Sequence, residues 1–425
     1  MNVRWEVVPG GPLRGSLRVP GDKSISHRAL LLNGLASGSA VIRNLLRSED
    51  VDATAGALRA MGVEIEEQGD TFVVRPPVRL KEPEQPIDCG NSGTSMRLLS
   101  GVIAAEPMFA VLTGDASLRR RPMARVLDPL RQMGAEVGGR GGGRLAPLAI
   151  RGGQLRSMDF SLNIASAQVK SALLLAGRRV GVSVEEPEQS RNHTELMLAR
   201  MGASLEVHGR RVVLGATEKL EPLNVDVPGD ISAAAFFLVA GCIVPGSEIC
   251  LRGVGVNPTR TGILDILRAM GADIEIVPVD SAGAEPQADL IVRSSSLKGI
   301  AIGGTLALRA LDELPVAAVA AAFAEGDTVM SDAAELRAKE SDRVARTVAG
   351  LRTLGIDAEE RPDGMVIRGG RPCGPGLVDA NGDHRIAMAF SVAALACEGG
   401  VWVDGAESVA SSYPGFRDHL EGLRA

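Results

Sequence analysis

The chain has 425 residues, 45% of them hydrophobic but only 3% aromatic, and a formal net charge of −6. This leaves ample Ala, Leu and Val for the cores of two domains, and it disfavours nucleic-acid binding, which needs basic surfaces and stacking rings. Five cysteines without a CxxC pair, and five histidines without ligand spacing, give no pattern for a disulfide framework or a metal site.

The first elements in chain order are strand-like, over roughly 3–19. Residues 19–42 then read VPGDKSISHRALLLNGLASGSAVI, and residues 227–250 read VPGDISAAAFFLVAGCIVPGSEIC, a gapless repeat at an offset of 208. Scaffold positions agree between the copies: Val19 with Val227, Pro20 with Pro228, Gly21 with Gly229, Asp22 with Asp230. Polar positions do not. Lys23, Ser26, His27 and Arg28 stand opposite Ile231, Ala234, Ala235 and Phe236. Since one copy starts its helix with apolar residues, the polar set of the other is expected to serve a ligand. Helix N-termini with added cations are ready anion sites.

A second signature recurs as LRAMGVEIE, LRQMGAEVG, LARMGASLE, LRAMGADIE and LRTLGIDAE, starting at 58, 130, 198, 267 and 351. Each reads as an amphipathic helix end, a Gly cap and a strand. A helix near Phe416–Leu423 ends the chain where a further strand is due. Between these come first-helix signals, each a polar or Gly-rich cap before an apolar run: CGNSGTSMRLLSGVIAA, IASAQVKSALLLAG, LDELPVAAVAAAFAEG and NGDHRIAMAFSVAALACEG. The helices starting near Lys23, Asn91 and Ala167 are apolar on nearly every side, which predicts burial inside a domain. Six β-α-β-α-β-β units thus fill the chain, a repeat architecture. Circular closure is expected, with the N-terminal strands completing the last unit. The offset predicts two similar domains, 21–226 and 1–20 plus 227–425, with Pro-Gly-Asp turns at both crossings.

Candidate site residues follow the unit starts. Unit one offers Lys23, Ser24 and Arg28. Unit two offers Gly93 in GNSGT, where small residues let backbone amides approach an anion, and Arg121 in LTGDASLRRRPM; the GGRGGGR run at 138–144 reads as a turn between strands. Unit three offers Ser166, Ala167 and Gln168 at a helix start, and Arg191 in a later loop. In the second half, Asp312 and Glu313 precede an apolar helix and could equally cap it. Lys339 and Arg343 are spaced to share a helix face, with Glu340 between them. Asp383, His384 and Arg385 open the last unit, where charges are costly unless they face a cleft. There is no nucleophile elbow and no cysteine in a basic loop. Cations, helix N-termini and carboxylates together suit two anionic substrates and general acid–base transfer.

The motifs PGDKSISHRALLLNGLA, GNSGTSMRLLSG, LTGDASLRRRPM, SAQVKSALLLAG, RAKESDRV and NGDHRIAMAF resemble, in order along the chain, those of the EPSP synthase (3-phosphoshikimate 1-carboxyvinyltransferase) family of enolpyruvyl transferases. The resemblance implies a mixed α/β fold: an inside-out α/β barrel of two domains with three βαβαββ units each, and the active site in the cleft between them. It implies phosphoenolpyruvate and shikimate 3-phosphate as substrates, addition–elimination through a tetrahedral intermediate, no cofactor and no metal, and a monomer. Lys23, Ser24, Arg28, Ser166, Ala167, Gln168, Arg191, Asp312 and Lys339 would bind shikimate 3-phosphate. Lys23, Gly93, Arg121, Gln168, Arg343 and Arg385 would bind phosphoenolpyruvate. Asp312, Glu340 and Lys23 would be catalytic, Asp312 taking the hydroxyl proton and Glu340 donating to the methylene. Ser411 and Glu335 stand where some members carry Lys and Asn. The rivals are the sister transferase acting on UDP-N-acetylglucosamine, expected to carry Lys-Asn in the first motif and a cysteine in the 118–123 loop, and an inactive ligand-binding relative. The longest apolar runs, such as 233–244, are too short and interrupted to span a bilayer, and MNVRWEVVPG lacks the regions of a signal peptide, so the expected location is the cytoplasm.

Overall fold

The computed structural model describes residues 3–280 and 284–424. Residues 1, 2 and 425, at the outer bounds expected for the second domain, lie outside the described residues. The chain forms two compact units, one of Gly21–Val227 and the other of Met1–Pro20, Pro228–Asp280 and Pro286–Ala425. Three of the described residues, Val227, Ala284 and Glu285, fall differently from the expectation. Val227 belongs with the first unit, where its N–H donates to Arg43 O at 3.0 Å. Glu285 also groups there, its carboxylate bonded to His193 Nδ1 at 2.7 Å.

Among the described residues the strands form six sheets, three to each unit; five have four strands on one plan, and the sixth, of Gly376–Asp379, Val401–Asp404 and Arg4–Val7, has three. A leading strand pairs parallel with the strand after the first helix; that strand pairs antiparallel with the last strand of the unit, which pairs antiparallel with the one before it. In the first unit these sets are led by Ile87–Asp88, Met158–Ser161 and Val225–Asp226. The last of these leads the sheet of Ala40–Arg43, so the segment after the third repeat closes the first.

In the second unit, Arg4–Val7 pairs antiparallel with Val401–Asp404, as circular closure requires. The other N-terminal strand does something the repeats did not disclose. Arg14–Leu17 pairs parallel with Glu248–Gly255 and leads the fourth repeat, not the sixth. A short helix, Gly304–Arg309, also stands where no repeat predicts one. The GGRGGGR run is a tight turn between the antiparallel strands Glu136–Gly139 and Leu145–Arg151, with positive φ at Gly141, Gly142 and Gly143.

The first helix of each repeat runs through the middle of its unit, and nearly every side chain on it is buried. In the first unit these are Lys23–Asn33, Gly93–Ala105 and Ala167–Gly177; in the second, Ile231–Ile243, Leu314–Ala322 and His384–Ala394. Their all-round apolarity is what permits this, since a helix with a wet face cannot sit inside three sheets. Ala and Gly at the crossings let the backbones approach closely. A Cβ on Gly101 would lie 2.1 Å from Ala172 O on the neighbouring helix. Five of the six helices begin with a side-chain cap, from Asp22, Ser92, Ser166, Asp230 and Asp383, satisfying N–H groups that burial would orphan. Glu313 precedes the sixth but makes no capping bond; its carboxylate is used elsewhere.

Candidate active site

In the first unit, side-chain bonds tie the starts of the three central helices together. Lys23 Nζ lies 3.1 Å from Asp50 Oδ2 and is partly exposed. Asp50 O accepts from Ser95 Oγ, which also bonds Ser92 Oγ, the cap of the second helix. Gln168, in the first turn of the third helix, accepts from Arg97 Nη1 at 2.5 Å and donates to Thr94 Oγ1 at 2.9 Å. Arg121 Nη2 donates to Asn91 Oδ1 at 2.6 Å. Gly93 sits between these guanidinium groups: a Cβ there would lie 3.0 Å from Arg97 Nη1 and 3.3 Å from Arg121 Nη1. Lys23, Gly93, Arg121 and Gln168 thus belong to one connected neighbourhood, to which Asp50 and Arg97 are additions. Arg97 was legible as the residue one turn after Gly93 in GNSGTSMR; Asp50 carried no signal.

Arg28 is buried. Its Nε donates to Thr194 Oγ1 at 2.7 Å, Nη1 to Ser24 O at 2.9 Å and Nη2 to Ser171 Oγ at 2.8 Å. Each Nη carries a second N–H. Burial pulls its pKa down to about 10, against the pull of the Glu195 and Asp22 carboxylates, and the charge of Arg191 adds to the fall. Two like-charged guanidinium groups near enough to feel each other form a place where an anion is favoured. Arg191 itself is half-buried, immediately before the helix His193–Arg200. Ser166 caps the third helix, with Ala167 as its first residue.

Not every polar residue of the first motif is available to a ligand. His27 is fully buried with Nδ1 bonded to Thr54 Oγ1 at 2.7 Å. Burial, with the charges of Lys23 and Arg28, holds its pKa well below the ordinary value, so it is neutral at pH 7. Ser26 Oγ accepts from Leu46 N at 3.0 Å. The difference between the repeat copies is therefore partly architectural: these two side chains tie loops to the helix.

In the second unit a group of cations closes on Asp312. Lys339 Nζ lies 3.5 Å from its Oδ1, Arg343 Nη1 3.2 Å from Oδ1, and Arg385 Nη2 4.0 Å from Oδ2. Arg343 is 1% exposed and also holds Glu340 at 2.5 Å and Asp383 at 2.9 Å. Burial alone would lower its pKa, but Asp383, Glu340 and Asp312 together raise it above the ordinary value. Asp383 is fully buried, which pushes its carboxyl upward, yet Arg343 outweighs this and holds it below the usual range. Arg385 donates from Nη1 to Asp312 O at 3.1 Å and lies 3.8 Å from Glu313. Glu313 is buried, bonded to Ser232 Oγ and 3.8 Å from Arg260. Ser411 Oγ bonds His384 Nδ1 at 3.3 Å.

Lys339 and Arg343 do not share a helix face. Lys339 follows the short 3-10 turn Ala334–Ala338, Asp342 caps the next helix, and Arg343 is its first residue. They meet at Asp312 because the chain turns sharply between them. Among the described residues no group of three or more His, Cys, Asp or Glu could hold a metal ion, and no helix is long and apolar enough to cross a membrane.

The sequence model of the family described as EPSP synthase (3-phosphoshikimate 1-carboxyvinyltransferase) matches residues 7–420. This chain belongs to the EPSP synthase family. Relatives named 3-phosphoshikimate 1-carboxyvinyltransferase include one from Pelobacter propionicus, 50% identical over 422 residues with 98% of each chain covered. Another, from Geobacter sulfurreducens, is 52% identical over 417 residues, with 97% of each covered. The structure of the EPSP synthase from Acinetobacter baumannii matches with a TM-score of 0.90 at 42% identity, covering 99% of this chain and 98% of that one. An enolpyruvyl transferase from Streptomyces tendae matches at 0.81 with 19% identity, a likeness of fold alone. The EPSP synthase fold accounts for the six repeated units and their two-fold grouping.

Proposed function

We propose that this chain transfers the carboxyvinyl group of phosphoenolpyruvate to the 5-hydroxyl of shikimate 3-phosphate and releases phosphate. Membership of the family supports this reading, and one observation carries it: Lys339, Arg343 and Arg385 all reach Asp312, with Glu340 on the same guanidinium. Cations for an anionic substrate stand beside two carboxylates, the set that addition and elimination require.

In this reading the 5-hydroxyl oxygen attacks C2 of phosphoenolpyruvate while Asp312 takes its proton and Glu340 gives one to C3. Glu340 then takes a proton back from C3 of the tetrahedral intermediate as the C2–O bond to phosphate breaks, and the departing phosphate carries off the proton held by Asp312, leaving the enol ether. Arg343 and Arg385 hold the carboxylate and the departing phosphate, and Lys23 and Arg121 are assigned to the same substrate. Their contribution is electrostatic, with donors fixed before charge develops. Arg28, Arg191, Ser24 and the Ser166-Ala167-Gln168 cap hold shikimate 3-phosphate, with Gln168 also facing the Gly93 corner; Lys23 and Lys339 serve the same substrate. Because both substrates are charged and do not cross membranes unaided, the reading places the enzyme in the cytoplasm; a monomeric state is part of the same proposal.

The test is phosphate release from phosphoenolpyruvate with shikimate 3-phosphate, run beside UDP-N-acetylglucosamine as the alternative acceptor. Release only with the shikimate acceptor is expected. Release with the sugar nucleotide, or with neither, overturns the reading.

A further inference from the structure

The third central helix carries a feature that its architecture does not require. Lys170 is its fourth residue, and its side chain is 2% exposed. The fourth residue of the helices starting at Gly93, Ile231, Leu314 and His384 is Met96, Ala234, Ala317 or Ala387, each buried. The same place in the fold is therefore filled elsewhere without charge. A buried ion pair is weak evidence for stability, because apolar residues of similar volume often do as well or better.

Lys170 Nζ lies 2.6 Å from Glu186 Oε2 and 2.7 Å from Glu195 Oε1, both buried. What matters is where those carboxylates go next. Glu186 Oε1 accepts from Ser166 N at 3.0 Å and from Ser190 Oγ at 2.6 Å, and Oε2 accepts from Ser190 N at 3.3 Å. One carboxylate thus fixes the residue that caps the Ser166-Ala167-Gln168 turn and the residue just before Arg191. Glu195 lies on the helix His193–Arg200, beside Thr194, which accepts from Arg28 Nε. Two cations, Lys170 and Arg28, balance two anions, Glu186 and Glu195, in one buried network. Removing one member of such a network is costly, although Glu195 Oε2 is buried without a hydrogen-bond partner among the described residues.

We propose that Lys170, Glu186 and Glu195 are positioning residues for shikimate 3-phosphate, holding the Ser166 turn, the Arg191 loop and Arg28 at fixed separation. None touches the substrate. The proposal rests on the functional reading above, since it takes those three elements as the ligands of the shikimate phosphate. It is directed at one substrate, because the bonds above run to Ser166, Ser190 and the helix that carries Thr194.

The test is a split of Michaelis constants. Glu186→Gln keeps the volume but puts a donor at one of the two oxygens, facing either Ser166 N and Ser190 Oγ or Ser190 N and the Lys170 ammonium. Its KM for shikimate 3-phosphate is expected to rise roughly tenfold to a hundredfold, the scale of a small misplacement of binding groups, while its KM for phosphoenolpyruvate stays within about twofold. Calorimetric titration with shikimate 3-phosphate alone is expected to show the same loss. Ser190→Ala removes a single bond to Glu186 and leaves the charges in place, so it reports even where Glu186→Gln does not fold; a smaller rise confined to shikimate 3-phosphate is expected. Parallel rises in both constants, or an unchanged constant for shikimate 3-phosphate in Ser190→Ala, overturn the proposal. Wild-type protein that releases no phosphate from the two substrates would instead sink the functional reading.

Discussion

Replacing Asp383 by Asn removes one charge from the second unit while keeping the shape of the side chain. Asp383 is fully buried, accepts from Arg343 Nε and Ser341 Oγ at 2.9 Å through Oδ2, and caps its own helix by accepting from Arg385 N at 3.0 Å through Oδ1. Asn caps a helix as well as Asp does, so the cap survives. The other side of the amide presents a donor to the Arg343 guanidinium, and the bond to Nε is lost. Breaking one side of a buried pair costs about 3–5 kcal/mol. Glu340 at 2.5 Å and Asp312 at 3.2 Å still face Arg343, which points to the low end, about 3 kcal/mol. At about 2–4 °C per kcal/mol for a domain of roughly 150–250 residues, the melting temperature falls by about 6–12 °C.

The assay is built into the chain. Its two tryptophans, Trp5 and Trp402, both lie in the second unit, and Trp5 stacks on Phe416 with centroids 6.4 Å apart. Intrinsic fluorescence during urea or thermal unfolding therefore reports on that unit alone. The pH dependence has a definite sign. The folded carboxyl titrates below its unfolded value of about 3.9, so its stabilisation is complete above that pH and is lost as the pH falls through the lower, folded value. The gap between wild type and variant is thus full at pH 7 and closes only in strong acid. A variant that melts with the wild type at pH 7, or a gap that stays constant down to acid pH, refutes the account of Asp383 as the main counter-charge of Arg343. Asp404→Asn, which breaks the exposed pair with Arg4, serves as the control and is expected to leave the midpoint in place.

Glu340→Gln is expected to lower turnover by roughly a hundredfold to ten-thousandfold, the range for a general acid or base, with binding of shikimate 3-phosphate retained in calorimetry. Gly93→Ala puts a methyl group against the ends of Arg97 and Arg121. Because those ends can swing away, folding is expected to survive with an unchanged melting temperature, while the KM for phosphoenolpyruvate rises roughly tenfold or more, as for one methyl in a tight pocket. Gly101→Ala instead meets backbone that cannot swing, and it is expected to destabilise the first unit by about 1–3 kcal/mol, measured by circular dichroism melting.

The repeat signatures made most of the fold legible, because burial forces each central helix to be apolar all round and each helix end to carry a Gly or polar cap. Arg14–Leu17 escaped because a four-residue strand leading a distant repeat leaves no local mark of its partner. The candidate site was legible where charges stand at or just before helix starts, as with Asp312, Arg343 and Arg385, whereas the helical spacing read for Lys339 and Arg343 was not what brings them together. It was misread where polarity serves the interior, as with His27 and Ser26. Lys170 was present in SAQVKSALLLAG, and an ammonium in the middle of an apolar run demands counter-charges. Nothing in the sequence said that Glu186 and Glu195 supply them, since both pairings are made across loops.

The pairing of Arg4–Val7 with Val401–Asp404 has a consequence for how the chain is made. A ribosome adds about 5–20 residues per second, so the opening strand waits roughly 20–80 s for its partner to emerge. Meanwhile Gly21–Val227 holds all that its own three sheets need, including the late segment Val225–Asp226. Synthesis thus delivers one finished half early and keeps the first strand of the other dangling as a bare edge, open to stray pairing with any neighbouring nascent chain.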